Sequence, residues 1–313
     1  MKLRRLGKTK LQVSEIGYGT WQLGSSNFWG AMSDSYAHGM VHCALDLGCN
    51  LFDTAPNYAD TNSERLLGEA LKGRRGEVVL VSKFGHVPGG DADFSEEWMW
   101  TSLHDSLKRL QTDYLDVLLL HSPPPECQNG SHPIWDALRK ARDHGKIRFY
   151  GASLDYAHEI RECLETSDAQ VLEILFNIMH QDARRTFDLV RRDDVGILAK
   201  VPLDSGWLSG KYNAQSRFTG VRARWTENQI QRRAELIGQL DWLIKDGTPL
   251  PQKALASLLA YPEVGSVIPG ARSQAQLQAN LNASKIKITF DERVRLESFW
   301  NNFTGNGTDL LPW

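Results

Sequence analysis

Little in this chain is paired, extreme or repeated. Its 313 residues hold four cysteines, Cys43, Cys49, Cys127 and Cys163, and none sits in a CxxC or other paired metal-ligand spacing. Cys43 and Cys163 fall on helical apolar faces and read as small core residues, so a reducing cytosol is the expected compartment. Net charge is also scarce: −2 at neutral pH offers no electrostatic case for nucleic acid or an anionic membrane. Basic clusters such as Lys2-Leu3-Arg4-Arg5 read as solvated strand ends. No apolar run approaches the roughly 20 residues that span a bilayer. No secretory signal is expected, so the Asn129-Gly130-Ser131 and Asn306-Gly307-Thr308 triplets carry little weight as glycosylation sites. No linker, repeat or low-complexity segment divides residues 1–313, which are expected to form a single domain.

What is present is an ordinary globular composition, 41% hydrophobic and 24% charged, with regularly alternating strand and helix patterns. The opening, Met1 to Val13, reads as two short strands around the turn Gly7-Lys8-Thr9-Lys10. Candidate strands then follow at 16–20, 50–53, 78–83, 115–121, 147–153, 171–177, 196–201 and 265–269. Helices are expected between them, for example over 34–47, 63–71, 95–110 and 133–143. Ser95 before Glu96 and Glu97, and Pro133 near a first helical position, are start signals. Eight strands with intervening helices fit an α/β fold of the closed (β/α)8 TIM-barrel type better than a doubly wound sheet. An N-terminal β-hairpin precedes the barrel, and a C-terminal helical tail over 291–299 ends in Leu310-Leu311-Pro312-Trp313. The irregular stretch 203–224 is long enough to be a binding element or lid.

Three polar residues end short apolar runs: Asp53 after Leu51-Phe52, Lys83 after the 78–81 run, and His121 after Leu118-Leu119-Leu120. Tyr58 follows the first of them in a loop. Each has a structural reading, since Asp, Pro and Asn favour turns and a histidine can be satisfied in a core. They follow consecutive strands, however, and carboxyl ends of barrel strands are where such a fold gathers its chemistry. A phenol with a pKa of about 10 is a poor donor at neutral pH. A nearby ammonium is expected to stabilise its phenolate and lower that pKa, a carboxylate to keep the lysine charged, and a histidine to orient a carbonyl oxygen. No carboxylate–histidine cluster of metal-ligand type accompanies His121, which disfavours a metal-dependent hydrolase.

The segments Gly17-Tyr18-Gly19-Thr20-Trp21, Phe52-Asp53-Thr54-Ala55-Pro56-Asn57-Tyr58, Val81-Ser82-Lys83-Phe84-Gly85 and Leu118-Leu119-Leu120-His121 resemble the aldo-keto reductase superfamily. So do the runs from Gly145 to Ser153 and from Ser266 to Ser273, and the matches keep their order from about residue 1 to 285. The resemblance implies a TIM barrel, a nicotinamide cofactor that is usually NADPH, and a small-molecule carbonyl or alcohol substrate. It implies Tyr58 as general acid/base, Lys83 and Asp53 as the pair acting on it, and His121 as the group orienting the carbonyl. It places Gly19, Thr20 and Trp21 along the cofactor and substrate cleft, and Ser153 against the carboxamide. The glycine turn and helix start at Gly270, Arg272, Gln276 and Asn280 would hold the adenosine 2′-phosphate and adenine. A helix N-terminus offers free N–H groups to an anion, and Arg272 adds a planar fork, which favours NADP over NAD. Pro202, Leu203, Gly206, Leu208 and Lys211 match the pyrophosphate-covering segment. A dinucleotide fingerprint at Gly17-Tyr18-Gly19 fails, because the third glycine is misplaced and no acid follows at the right interval.

Three positions depart from the family pattern. Leu154 follows Ser153 where asparagine is common, Glu173 stands where a glutamine usually contacts the carboxamide, and Lys200 replaces a stacking aromatic. Leu154 also reads as an apolar residue opening a helix. Glu173 and Lys200, on adjacent strands, are expected to pair with each other, Glu173 accepting the carboxamide N–H. Tryptophans near the rim (Trp21, Trp29, Trp98 or Trp100, Trp207, Trp313) suggest an apolar or aromatic substrate pocket, with helix-face packing the other reading for Trp98, Trp100, Trp135 and Trp242. A sugar or polyol dehydrogenase and a slow-turnover NADP(H)-binding regulatory subunit are compatible with the same residues. Substrate identity and oligomeric state stay open.

Overall fold

Hydrophobic alternation decides the architecture. In the computed structural model, which describes residues 1–25 and 29–312, β1 (Leu3–Arg5) and β2 (Gln12–Ser14) form an antiparallel hairpin. Eight further strands follow: β3 (Tyr18–Gly19), β4 (Leu51–Asp53), β5 (Val79–Phe84), β6 (Leu115–His121), β7 (Ile147–Leu154), β8 (Val171–Leu175), β9 (Gly196–Lys200) and β10 (Val264–Val267). They pair in parallel in chain order from β3 to β10. Parallel bridges Ile16↔Val267 and Gly19↔Gly270 join the two ends, so the sheet closes as the (β/α)8 reading expected. At this seam there is no room for a side chain, since a Cβ on Gly19 would stand 2.9 Å from the Ile268 carbonyl oxygen.

Two cores result, because successive strand residues point to opposite faces. Leu51, Val79, Val81, Val117, Leu119, Val171 and Leu198 fill the barrel interior, and the hairpin residues Leu6, Leu11 and Val13 join the same cluster. Phe52, Leu80, Leu118, Leu120, Ile174 and Ile197 point outward and pack under the helices with Met40, Met99, Trp135 and Leu255. Helix starts follow the expected chemistry: Ser95 accepts from the Trp98 N–H at 3.1 Å to open Glu96–Arg109, and Pro133 precedes Ile134–Asp143. The tail helix is longer than expected, Phe290–Thr304, with a Thr289/Glu292 capping box.

Strand ends differ from expectation for local reasons. β8 stops at Leu175 because Asn177 turns the chain, its Oδ1 accepting from the Met179 and His180 amides. β9 stops at Lys200 because Val201 is left-handed, φ 51°. β10 stops before Pro269, which has no N–H to extend the ladder. The stretch 203–224 is structured in part, with 3-10 turns at Asp204–Ser209 and Gly220–Arg222. All four cysteines are free thiols.

Candidate active site

The inward row of each strand is apolar until its carboxyl end, where it turns polar. Leu51 leads to Asp53, Val79 and Val81 to Lys83, Val117 and Leu119 to His121, Gly151 to Ser153, Val171 to Glu173, and Leu198 to Lys200. The register sets these ends side by side, with Asp53 beside Val81, Lys83 beside Leu119, His121 beside Ser153, and Ser153 beside Glu173. The same alternation turns Leu154 outward. It ends β7 rather than opening a helix, is buried in the outer core, and does not line the cleft.

Lys83 is the centre of the group. It is 1% exposed, and its Nζ donates to Asp53 Oδ1 and Oδ2 at 2.8 and 2.7 Å and to the Thr54 carbonyl at 3.1 Å. Glu173 Oε2 is 3.1 Å from the same nitrogen. Burial pushes the ammonium down, but the two carboxylates outweigh it and hold Lys83 above its ordinary value. Between the acids, burial and Glu173 push Asp53 well up. Glu173 is held low, its burial outweighed by Lys83 and Lys200. Two acids in contact cannot both ionise freely, so the pair titrates as one unit, with Asp53 pushed up and Glu173 down.

Tyr58 reaches this centre from its loop. The Lys83 Nζ lies 5.3 Å from the Tyr58 ring centroid. Burial raises the phenol above its ordinary value; the Lys83 charge and hydrogen bond lower it, while Asp53 and Glu173 raise it again. Lys83 does lower the phenol, as expected, but burial outweighs it and the net shift is upward. The His121 ring packs edge-on against Tyr58, centroids 6.1 Å apart. Burial, with Lys83, His86 and Lys200 nearby, holds the imidazole well below its usual range, so it is neutral. Sequence reasoning missed His86, whose ring stands 4.4 Å from that of His121. The loops after these strands are strained: Ala59, Asp60 and Thr61 have φ of 50°, 52° and 72°, and Ser122 has 49°.

Asp53, Tyr58, His121 and Glu173 floor a cleft of about 620 Å³. Of the residues singled out from sequence, Gly19, Trp21, Asp53, Tyr58, His121, Ser153, Glu173, Lys200, Pro202, Leu203, Gly206, Lys211, Gly270, Arg272, Gln276 and Asn280 line it. Three expected residues do not. Lys83 lies behind the wall it charges. Thr20 is fully buried, its N–H and hydroxyl both donating to the Asp53 carbonyl at 2.8 Å, so it fixes β3 against β4 rather than facing a ligand. Leu208 is buried among Ile178, Met179 and Leu243. The expected Glu173–Lys200 pair is also corrected. Glu173 turns to Lys83, while Lys200 Nζ pairs with Asp155 Oδ1 at 2.8 Å. Ser153 links the two sides, its Oγ donating to Glu173 Oε1 at 3.1 Å and accepting from Lys200 at 2.8 Å. Asp155 was not foreseen, although the inward alternation from Gly151 and Ser153 carries straight to it.

Of the rim tryptophans, Trp21 and Trp29 line the cleft, their rings 5.3 Å apart. Trp207 is instead buried in a satellite cluster with Trp225 and Ile230. Trp98 and Trp100 lie on the Glu96–Arg109 helix away from the cleft, and Trp313 lies outside the described residues.

Part of the cleft wall is cationic, with Lys211, Arg222 and Arg272. Arg222 lies 4.6 Å from the Trp29 ring and donates to the Ser205 carbonyl at 2.9 Å. Burial lowers its pKa, and so does the nearby Arg272 charge. The Gln274–Asn282 helix begins here with Ser273 capping the Gln276 N–H. Gln276 Oε1 accepts from the Arg272 N–H at 2.9 Å and Asn280 donates to the Gly270 carbonyl at 3.2 Å, shaping the turn. A Cβ on Gly270 would meet Gln22 Oε1 at 2.0 Å, and that oxygen is buried without a hydrogen-bond partner among the described residues. An open groove, an unused buried acceptor, and the cations Lys211, Arg222 and Arg272 along the same cleft as Tyr58 fit an elongated ligand with anionic phosphates. A nicotinamide dinucleotide has that form.

The comparisons agree with this geometry. A family model described as the Aldo/keto reductase family matches residues 15–301. The chain is 30% identical over 312 residues to the NADH-specific methylglyoxal reductase of Escherichia coli (strain K12), covering 92% of this chain and 95% of that one. It is also 30% identical over 312 residues to a probable voltage-gated potassium channel subunit beta of Arabidopsis thaliana, covering 90% and 91% respectively. Among solved structures, the holo form of aldo-keto reductase AKR11C1 from Bacillus halodurans is similar with a TM-score of 0.80 and 28% identity, over 96% of each chain.

Proposed function

This chain belongs to the aldo/keto reductase family, and on that premise we propose that it is an NADP-dependent oxidoreductase interconverting aldehydes or ketones and alcohols. A bound nicotinamide would supply the hydride to the carbonyl carbon, or accept it in the reverse direction. The chain's own residues handle position and protons. Gly19 and Trp21 would line the nicotinamide end with Ser153, Glu173 and Lys200. Pro202, Leu203, Gly206 and Lys211 would cover the pyrophosphate, and Gly270, Arg272, Gln276 and Asn280 the adenosine phosphate.

One observation carries the reading: a phenol and a neutral imidazole meet on one cleft floor with a doubly paired ammonium directly behind them. Held above its ordinary pKa, Tyr58 is fully protonated at neutral pH and has a proton to give as the carbonyl oxygen gains charge. Neutral His121 can donate a hydrogen bond to that oxygen, fixing it near the phenol. Lys83 then stabilises the phenolate that results.

The test is a screen of aldehydes, ketones, sugars and polyols, following absorbance of the reduced cofactor with NADPH and NADH in parallel. Carbonyl-dependent oxidation of NADPH at the lower KM is expected. Preferred oxidation of sugars or polyols would move the substrate class within the same site, and a lower KM for NADH would remove the role given to Arg272. The similarity to a channel beta subunit supports a second reading, a slow-turnover cofactor-binding subunit. Absence of steady-state turnover with cofactor bound would favour it.

A further inference from the structure

Glu173 and Lys200, two of the positions that depart from the family pattern, belong to a continuous row of ion pairs and hydrogen bonds. It starts at the buried centre and ends at the cleft wall. Lys83 Nζ stands 3.1 Å from Glu173 Oε2. Glu173 Oε1 accepts from Ser153 Oγ at 3.1 Å, and Ser153 Oγ accepts from Lys200 Nζ at 2.8 Å. Lys200 Nζ is 2.8 Å from Asp155 Oδ1, whose side chain is 23% exposed. Every link joins a group that can give a proton to one that can take it. The three inner members are closed off from solvent: Lys83 is 1% exposed, Glu173 3% and Ser153 0%. The end members face the cleft, where Asp155 is further fixed by its own N–H donating to Glu159 Oε2 at 2.7 Å.

Resting on the function proposed above, we propose that Glu173, Ser153, Lys200 and Asp155 form a proton route that reprotonates Tyr58 through Lys83 while the cleft is filled. The balance is simple. Reduction leaves Tyr58 as phenolate, which takes a proton from the Lys83 ammonium. Ser153 passes its proton to the Glu173 carboxylate as Lys200 replaces it, and Glu173 then hands that proton to Lys83 and is a carboxylate again. Lys200 is refilled by solvent at the cleft wall, where Asp155 holds the ammonium. One proton enters at the wall, one leaves on the product alcohol, and every member returns to its starting state. In oxidation the same row runs outward. A glutamine in place of Glu173 would interrupt it, since an amide does not accept and release a proton in this way, so the acid at this position gains a reason beyond contact with the carboxamide.

The test separates proton supply from hydride transfer. The whole enzyme, loaded with NADPH, is mixed with the best carbonyl from the screen, and the first-turnover rate and the steady-state kcat are both recorded. Ser153→Ala removes the bridging hydroxyl, and Lys200→Met removes the next donor, while cofactor affinity is followed by fluorescence titration. Both variants are expected to lower the ratio of kcat to first-turnover rate by at least about tenfold, and a small acidic buffer such as imidazole is expected to restore it. A merely structural role would depress both rates together and leave the ratio at its wild-type value. That result in both variants overturns the route. A wild type that turns over no carbonyl at all would overturn the function it rests on, and the route with it.

Discussion

His121 reports the electrostatics of the site through its own titration. Burial and the positive charges of Lys83 and Lys200 hold its folded-state pKa well below the unfolded value. The unfolded chain therefore binds the proton first as pH falls. The histidine's contribution is complete above the unfolded pKa of about 6.5 and is lost as pH drops toward the folded value. Asp53 works in the opposite sense, since its folded pKa is raised and its contribution is lost as pH rises. Comparing His121→Asn with wild type cancels the Asp53 term. Urea unfolding at about pH 7.5 and about pH 5.5, on either side of the ordinary histidine value, should show wild type losing more stability on acidification than the variant. Equal losses would contradict a buried neutral imidazole. At this scale the sequence was informative about identity and poor about partners. Asp53, Lys83 and His121 announced themselves by ending apolar runs, but Glu173 was matched to Lys200 because both were unusual and their strands adjacent. Which charges meet depends on side-chain reach: Lys200, two residues beyond Leu198, which is level with Glu173, extends to Asp155 instead.

The 203–224 segment shows how an irregular element is held in place. Its base is pinned by Asp204, fully buried between His180 Nε2 at 3.3 Å and Arg233 Nε at 3.4 Å. Arg233, itself fully buried, also donates to the Pro312 carbonyl at 2.6 Å, tying the tail to the same anchor. Its tip is held by Arg222 packed against Trp29 and Tyr212. Asp204→Ala leaves the Arg233 charge buried without its carboxylate, and breaking such a pair costs about 3–5 kcal/mol. Chemical denaturation should show a loss of that order, and fluorescence titration should show weaker NADPH binding, since Pro202, Leu203 and Gly206 hang from this anchor. A variant as stable as wild type would mean that Asp204 pins nothing. The segment was legible as a long loop beside the cofactor, and Lys211 was singled out. Arg222 was not, because an arginine in a glycine-containing loop carries no periodicity, and only the fold brings it over Trp29.

The molecule as a whole is a closed barrel sealed at its amino end by a hairpin. Leu6 is fully buried in the interior cluster, and Gly196 and Gly265 leave the space it fills: a Cβ on either would come within 2.6 and 2.8 Å of its side chain. If residues 1–313 form one domain, the hairpin and barrel unfold together. Leu6→Ala should then cost about 3 kcal/mol, seen as a shift of one transition detected alike by far-UV and near-UV circular dichroism. Separate transitions would divide the chain. This architecture was legible because strands alternate with helices and parallel strands are apolar on both faces. The seam between β3 and β10 was less so, since the Tyr18–Gly19 strand is two residues long and is defined by its neighbours. The central claim, that Tyr58 is the acid that protonates the carbonyl oxygen, is tested most directly by Tyr58→Phe, which keeps the ring against Trp21 and His121 and removes only the phenolic oxygen. NADPH binding by fluorescence titration should be unchanged while carbonyl-dependent turnover falls by about a hundredfold or more; turnover at the wild-type rate would contradict the account.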